Sequence, residues 1–69
     1  MIIEWKPGST ISVNTDNGAV LISANKEGLL SLADHLAALA EAAPGSHIHY
    51  DENNSLEEGS AEMIVERIL

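Results

Sequence analysis

The sequence predicts an α+β domain: an antiparallel sheet of four to five strands with a single helix packed on one face. Three observations predict it. Residues 25–43, NKEGLLSLADHLAALAEAA, are the one segment long and periodic enough for a helix. Residues 10–24, TISVNTDNGAVLISA, alternate and turn as a hairpin does. Beyond Pro44-Gly45 the chain returns to short stretches with the period of strands. The expected order is β-hairpin, helix, β-hairpin, preceded by a short edge strand, in one domain spanning residues 1–69.

Met1 to Trp5 is a short apolar run that reads as this edge strand, ended by Lys6-Pro7-Gly8-Ser9. From Thr10 to Thr15, Ile11 and Val13 fall on one face, Ser12 and Asn14 on the other. Asp16-Asn17-Gly18 is turn chemistry, because Asn and Gly tolerate the positive φ that hairpin turns demand. Ala19 to Ala24 is more continuously apolar, which predicts an interior position in the sheet. Asn25 is the expected N-cap of the helix. At 100° per residue, Leu29, Leu32, Leu36, Leu39, Ala33, Ala40 and Ala43 gather on one side, the predicted buried face. Glu27, Ser31, Asp34, Ala38 and Glu41 gather opposite. His35 borders the leucine face beside Leu32 and Leu39, as a boundary residue. Gly28 weakens the first turn by about 1 kcal/mol against Ala, and it reads equally as a tolerated defect or as a place for another backbone to approach closely. Pro44-Gly45 stops the helix.

In the C-terminal third, Ile48 and Tyr50 alternate with His47, His49 and Asp51, so the imidazoles point outward from a half-buried strand. Residues 52–59 form a polar loop with Leu56 as its anchor. From Ser60 onward the pattern fits either helix or strand. The β-branched pair Ile64-Val65, and the need of the preceding strand for a neighbour, favour a strand.

Charge is the strongest compositional signal. Three basic residues face eleven acidic ones, a net charge of −8. Asp51, Glu52, Glu57, Glu58, Glu62 and Glu66 all lie in the last nineteen residues. A field of this sign repels nucleic acid and anionic membrane and speeds encounter with basic partners. No apolar run approaches the roughly 20 residues needed to span a bilayer. The N-terminus lacks the basic and apolar regions of a signal peptide, and there is no cysteine. The expectation is a soluble, cytoplasmic chain. Since it is small and poor in aromatic residues, a homodimer is one way for it to bury more surface.

His47-x-His49-x-Asp51 sets two imidazoles and a carboxylate on one strand face, a partial metal site for which Glu62 across the hairpin is the natural further ligand. The same groups appear on any outward face of an acidic protein. Catalysis is not expected: there is no Cys, no serine in a recognisable nucleophile setting, and little room for a substrate pocket. No cofactor is called for. Asn53-Asn54-Ser55 matches a glycosylation acceptor but is read as polar loop. Trp5 is a core or interface anchor.

Residues 24–67 resemble small immunity proteins of bacterial polymorphic toxin systems. The resemblance is carried by Gly45-Ser46-His47-Ile48-His49-Tyr50-Asp51-Glu52, then Asn54-Ser55-Leu56-Glu57 and Gly59-Ser60-Ala61-Glu62, with Leu29-Leu30-Ser31-Leu32-Ala33-x-His35-Leu36 in the helix. It implies a small α+β protein that binds and silences a cognate protein toxin. On that reading the face bearing His47, His49, Asp51, Glu52, Glu57, Glu58 and Glu62 docks on the toxin. Tyr50 or Trp5 would supply affinity. An acidic face suits a toxin that degrades nucleic acid, whose cleft must hold phosphate.

Overall fold

In the computed structural model the chain is described from residue 3 to residue 69. Strand β1 (Ile11–Asp16) and strand β2 (Ala19–Ala24) form the first hairpin. Helix α1 (Lys26–Ala40) follows, then β3 (His47–Tyr50) and β4 (Met63–Glu66), paired antiparallel. The Asn17-Gly18 turn behaves as its residues predict, with φ of 49° and 81° at its two central positions. The ambiguous last segment is a strand, Met63 and Val65 turned toward the core and Ile64 outward.

The architecture differs from a single sheet of four to five strands. Among the described residues there are two sheets of two strands each, β1-β2 and β3-β4. Of the edge strand expected over Met1 to Trp5, the described part, Ile3 to Trp5, runs without strand pairing; Met1 and Ile2 lie outside the described residues. The division has a local cause. Residues 57–61 lie along β1, where the Glu57 and Ala61 N–H groups donate to the carbonyls of Ile11 (2.9 Å) and Val13 (2.7 Å). Between them Gly59 turns at a φ of 87°. The Ser60 hydroxyl, not a main-chain carbonyl, accepts from the Val13 N–H at 3.2 Å. A ladder cannot pass through that bend, so two hairpins are stitched edge to edge instead of merging.

The core collects Ile11 and Val13 from β1, Ile48 and Tyr50 from β3, Leu39 from α1 and Leu56 from the loop. Leu56 anchors its loop as expected. The helix cap also forms as expected, with the Asn25 side chain accepting from the Gly28 N–H at 2.8 Å. The helix stops at Ala40, three residues short of Ala43. Its last carbonyls are taken by Glu41 and Ala42, whose N–H groups reach back to Ala38 and Leu39. The Arg67 guanidinium bonds the Ala42 carbonyl, a cation placed where the helix dipole favours one.

Two burial expectations are overturned. The helix turns only part of its leucine stripe inward: Leu39 is buried and Leu32 packs against the core, but Leu29 and Leu36 are exposed, and the other buried residues are Gly28, Ser31 and His35. Ser31, assigned to the solvent side, is buried. The helix is rotated because its polar groups find partners across the contact and Gly28 admits the backbone at Thr10. Strand β2 is not interior either. It has one bonded neighbour, and Val20, Leu21 and Ile22 are exposed.

Candidate functional site

The outward face of β3-β4 carries most of the groups singled out in the sequence. Alternation along β3 buries Ile48 and Tyr50 and exposes His47 and His49. The register sets Glu66 opposite His47 and Ile64 opposite His49. His49 Nε2 lies 2.9 Å from Glu62 Oε2, both groups about half exposed. Asp51 completes a group with these two, all three ligand atoms lying within 4.8 Å of one another. The structure thus brings together His49, Asp51 and Glu62 and leaves His47 outside, beside Glu66.

The other predicted residues are placed differently. Asp51 caps the start of the loop, its Oδ1 accepting from the Asn53 and Asn54 N–H groups at 2.9 and 3.1 Å. Glu52 closes the loop on itself by accepting from the Gly59 N–H at 2.8 Å. Glu57 and Glu58 are exposed, near the point where Glu57 bonds β1. Loop geometry therefore fixes Asp51 and Glu52, whereas His47, His49, Glu57, Glu58 and Glu62 present their side chains to solvent.

Tyr50 has no part in any outer face: it is fully buried. The sequence pattern does hold a substitute for it. Strand alternation turns Ile64 to the same side as Glu62 and Glu66, and it stands 57 % exposed among polar neighbours. An apolar side chain ringed by polar groups is the usual make-up of an interface anchor.

Beneath that face lies a polar cluster, which the sequence reading treated as separate residues. His35 Nε2 lies 2.6 Å from the Glu4 carbonyl, and Nδ1 lies 3.0 Å from the Tyr50 hydroxyl. A carbonyl only accepts, so Nε2 carries the hydrogen, and in the neutral ring Nδ1 accepts from Tyr50. Trp5 meets the His35 ring edge to face at 4.7 Å and donates its indole N–H to the Ser55 hydroxyl at 3.1 Å. Burial pushes the Tyr50 phenol above its ordinary pKa. His35 is a buried crosslink between the N-terminal segment, α1 and β3, not a boundary residue. Trp5 is likewise committed to the interior.

No described helix is long and apolar enough to cross a membrane. A family model described as Immunity protein 32 matches residues 19–68. That span holds the helix, both strands of the second hairpin and the whole run from Gly45 to Glu62. No curated protein and no solved structure matches the chain.

Proposed function

The chain belongs to the Immunity protein 32 family, and from that premise we propose that it neutralises a cognate protein toxin by binding it, without catalysing a reaction. The docking face is the outward side of β3-β4 with the acidic loop that joins them, bearing His47, His49, Asp51, Glu52, Glu57, Glu58 and Glu62. Family membership is the observation that carries the reading. Supporting the choice of face, its groups sit on a short two-stranded sheet whose inner side is anchored by Ile48 and Tyr50, so they are presented on a rigid base. Exposed carboxylates set approach rate and specificity, and Ile64 supplies the desolvated contact that Tyr50 cannot.

The experiment is a pull-down and growth-rescue assay against the product of the neighbouring toxin gene. The wild-type chain should bind and rescue. Reversing Glu57, Glu58 and Glu62 together to Lys should weaken binding about tenfold or more, chiefly through slower association, with the salt dependence of the on-rate reduced. Unchanged affinity in the triple variant would place the interface elsewhere.

The His49, Asp51 and Glu62 grouping favours a second reading, a small module that binds a divalent cation at this corner. The set has the ligand chemistry of zinc, but its atoms would have to close to about 3.4 Å apart, and the His49–Glu62 contact would have to open. On this reading zinc raises the melting temperature of the wild-type chain, and His49→Ala loses the response. A melting curve indifferent to zinc would leave only the toxin-binding reading.

A further inference from the structure

We propose that β2 is a self-association strand: two copies of this chain pair their Ala19–Ala24 edges antiparallel, giving one four-stranded sheet in the order β1-β2-β2′-β1′. β2 is bonded to β1 alone, and among the described residues no main-chain group of 19–24 bonds anything outside its hairpin. Its outer edge is therefore a row of unpaired donors and acceptors. Natural edges of this kind are blunted by Lys, Pro, bulges or a covering loop. AVLISA has no charge and no proline, its register with β1 runs unbroken over six residues, and Val20 and Leu21 are 64 % and 56 % exposed.

The absence of charge on β2 favours a second copy as its occupant. A chain of net charge −8 meets itself with least repulsion where neither copy brings a row of carboxylates. β2 is such a surface, and a basic partner would gain nothing from it. Pairing about Leu21 sets Val20 opposite Ile22 of the other copy on one face, so the same side chains complement themselves across a two-fold axis. The antiparallel sense also turns the Asp16 end of one hairpin toward the Lys26 end of the other. A compact monomer of this mass is expected to expose about 4,200 Å², whereas this chain exposes 4686 Å². Among the described residues, nine large apolar side chains are exposed, against six buried in the core and others partly buried around it. Sheet pairing would cover part of that excess, on a surface separate from the β3-β4 face, so a dimer remains able to engage a toxin.

Sedimentation equilibrium of the whole chain between about 1 and 100 µM tests this. The wild type should move from 7.3 kDa toward twice that mass with rising concentration. Leu21→Lys should stay at the single-chain mass with its far-UV circular dichroism unchanged, and Ile64→Lys, on the other sheet, should associate as the wild type does. A wild type that remains at the single-chain mass overturns the proposal, as does a Leu21→Lys protein that still dimerises. Amide hydrogen exchange on the wild type needs no variant: protection at residues 19–24 should rise with concentration. If those amides are indifferent to concentration while the mass doubles, the copies meet elsewhere and the proposal fails.

Discussion

His35→Ala is expected to remove about 3 kcal/mol of folding stability, since it leaves the buried Tyr50 hydroxyl and the part-buried Glu4 carbonyl without their partner and opens a cavity. The Tyr50 hydroxyl, on a fully buried side chain, would lose its acceptor at 3.0 Å, and the Glu4 carbonyl its donor at 2.6 Å. Trp5 would lose the ring it packs against. A domain of this length holds about 3–10 kcal/mol in all, so the variant should be largely or partly unfolded at 25 °C. Urea unfolding followed by circular dichroism measures it, and a loss below about 1 kcal/mol would show that the crosslink bears little of the fold. Tyr50→Phe separates the contributions: it removes only the hydroxyl and should cost about 1 kcal/mol. It should also change the alkaline limb. Because burial raises the Tyr50 pKa, the unfolded phenol ionises first, near pH 10. The folded chain then binds more protons at Tyr50 than the unfolded one, so this group's contribution to stability is constant below about pH 10 and is lost as pH rises through the folded value. The Phe variant should lack that fall.

This crosslink shows where the sequence was legible and where it was not. Signals resting on one residue's local chemistry survived: the Asn25 cap, the Asn17-Gly18 turn, the alternation around Ile48 and Tyr50, and Leu56 as an anchor. Each depends on backbone geometry that neighbours in sequence dictate. Burial on the helix was right for Leu32 and Leu39 and wrong for Leu29, Leu36 and Ser31, for the opposite reason. Periodicity locates a stripe of leucines but not the side from which the rest of the chain approaches. Here the contact lies along Gly28, Ser31, His35 and Leu39, because Ser31 meets the Lys6 N–H at 2.9 Å and His35 meets Tyr50 and Glu4. Polar residues can occupy a core when every group is paired, and among the described residues no buried side-chain polar atom lacks a partner. Such pairing spans 15 to 31 residues in sequence and leaves no periodic trace.

The candidate face was legible in part. Strand alternation placed His47 and His49 outward, and the idea that Glu62 approaches them across the hairpin agrees with its 2.9 Å contact to His49. Alternation alone could not show that Asp51 and Glu52 each use one carboxylate oxygen to hold the loop, since that depends on the loop's turn from Asn53 to Gly59. Apolar runs misled in a similar way. A continuous apolar strand predicts burial on both faces, yet β2 stands at an edge, which turns an error about its position into an argument about its partner.

Gly28→Ala opposes these two kinds of reasoning in one measurement. By helix propensity alone the substitution should stabilise the chain by about 1 kcal/mol, since Gly28 lies inside α1 with ordinary helical geometry. The packing predicts the reverse. A Cβ at Gly28 would press into the Thr10 carbonyl oxygen, a main-chain atom with no rotamer to change, and would crowd Ala24 and Asn25 at 3.2 Å. That carbonyl also accepts from the Asn25 N–H at 3.2 Å, and the Asn25 side chain holds the Thr10 N–H and the Gly8 carbonyl. Moving Thr10 away therefore loosens the cap and the seam between hairpin and helix together. Overpacking costs about 1–3 kcal/mol; against a main-chain atom that cannot turn aside the upper part, about 2–3 kcal/mol, is expected, and with the propensity gain of about 1 kcal/mol subtracted the net loss should be about 1–2 kcal/mol. In a domain this small that lowers the melting temperature by about 5–15 °C. Ala37→Gly, on the exposed side of the same helix, is the control and should cost about 1 kcal/mol by propensity alone. If Gly28→Ala raises the melting temperature while the control lowers it, the close approach of α1 to the Thr10 backbone does not govern this seam, and the rotation of the helix away from its leucines needs another cause.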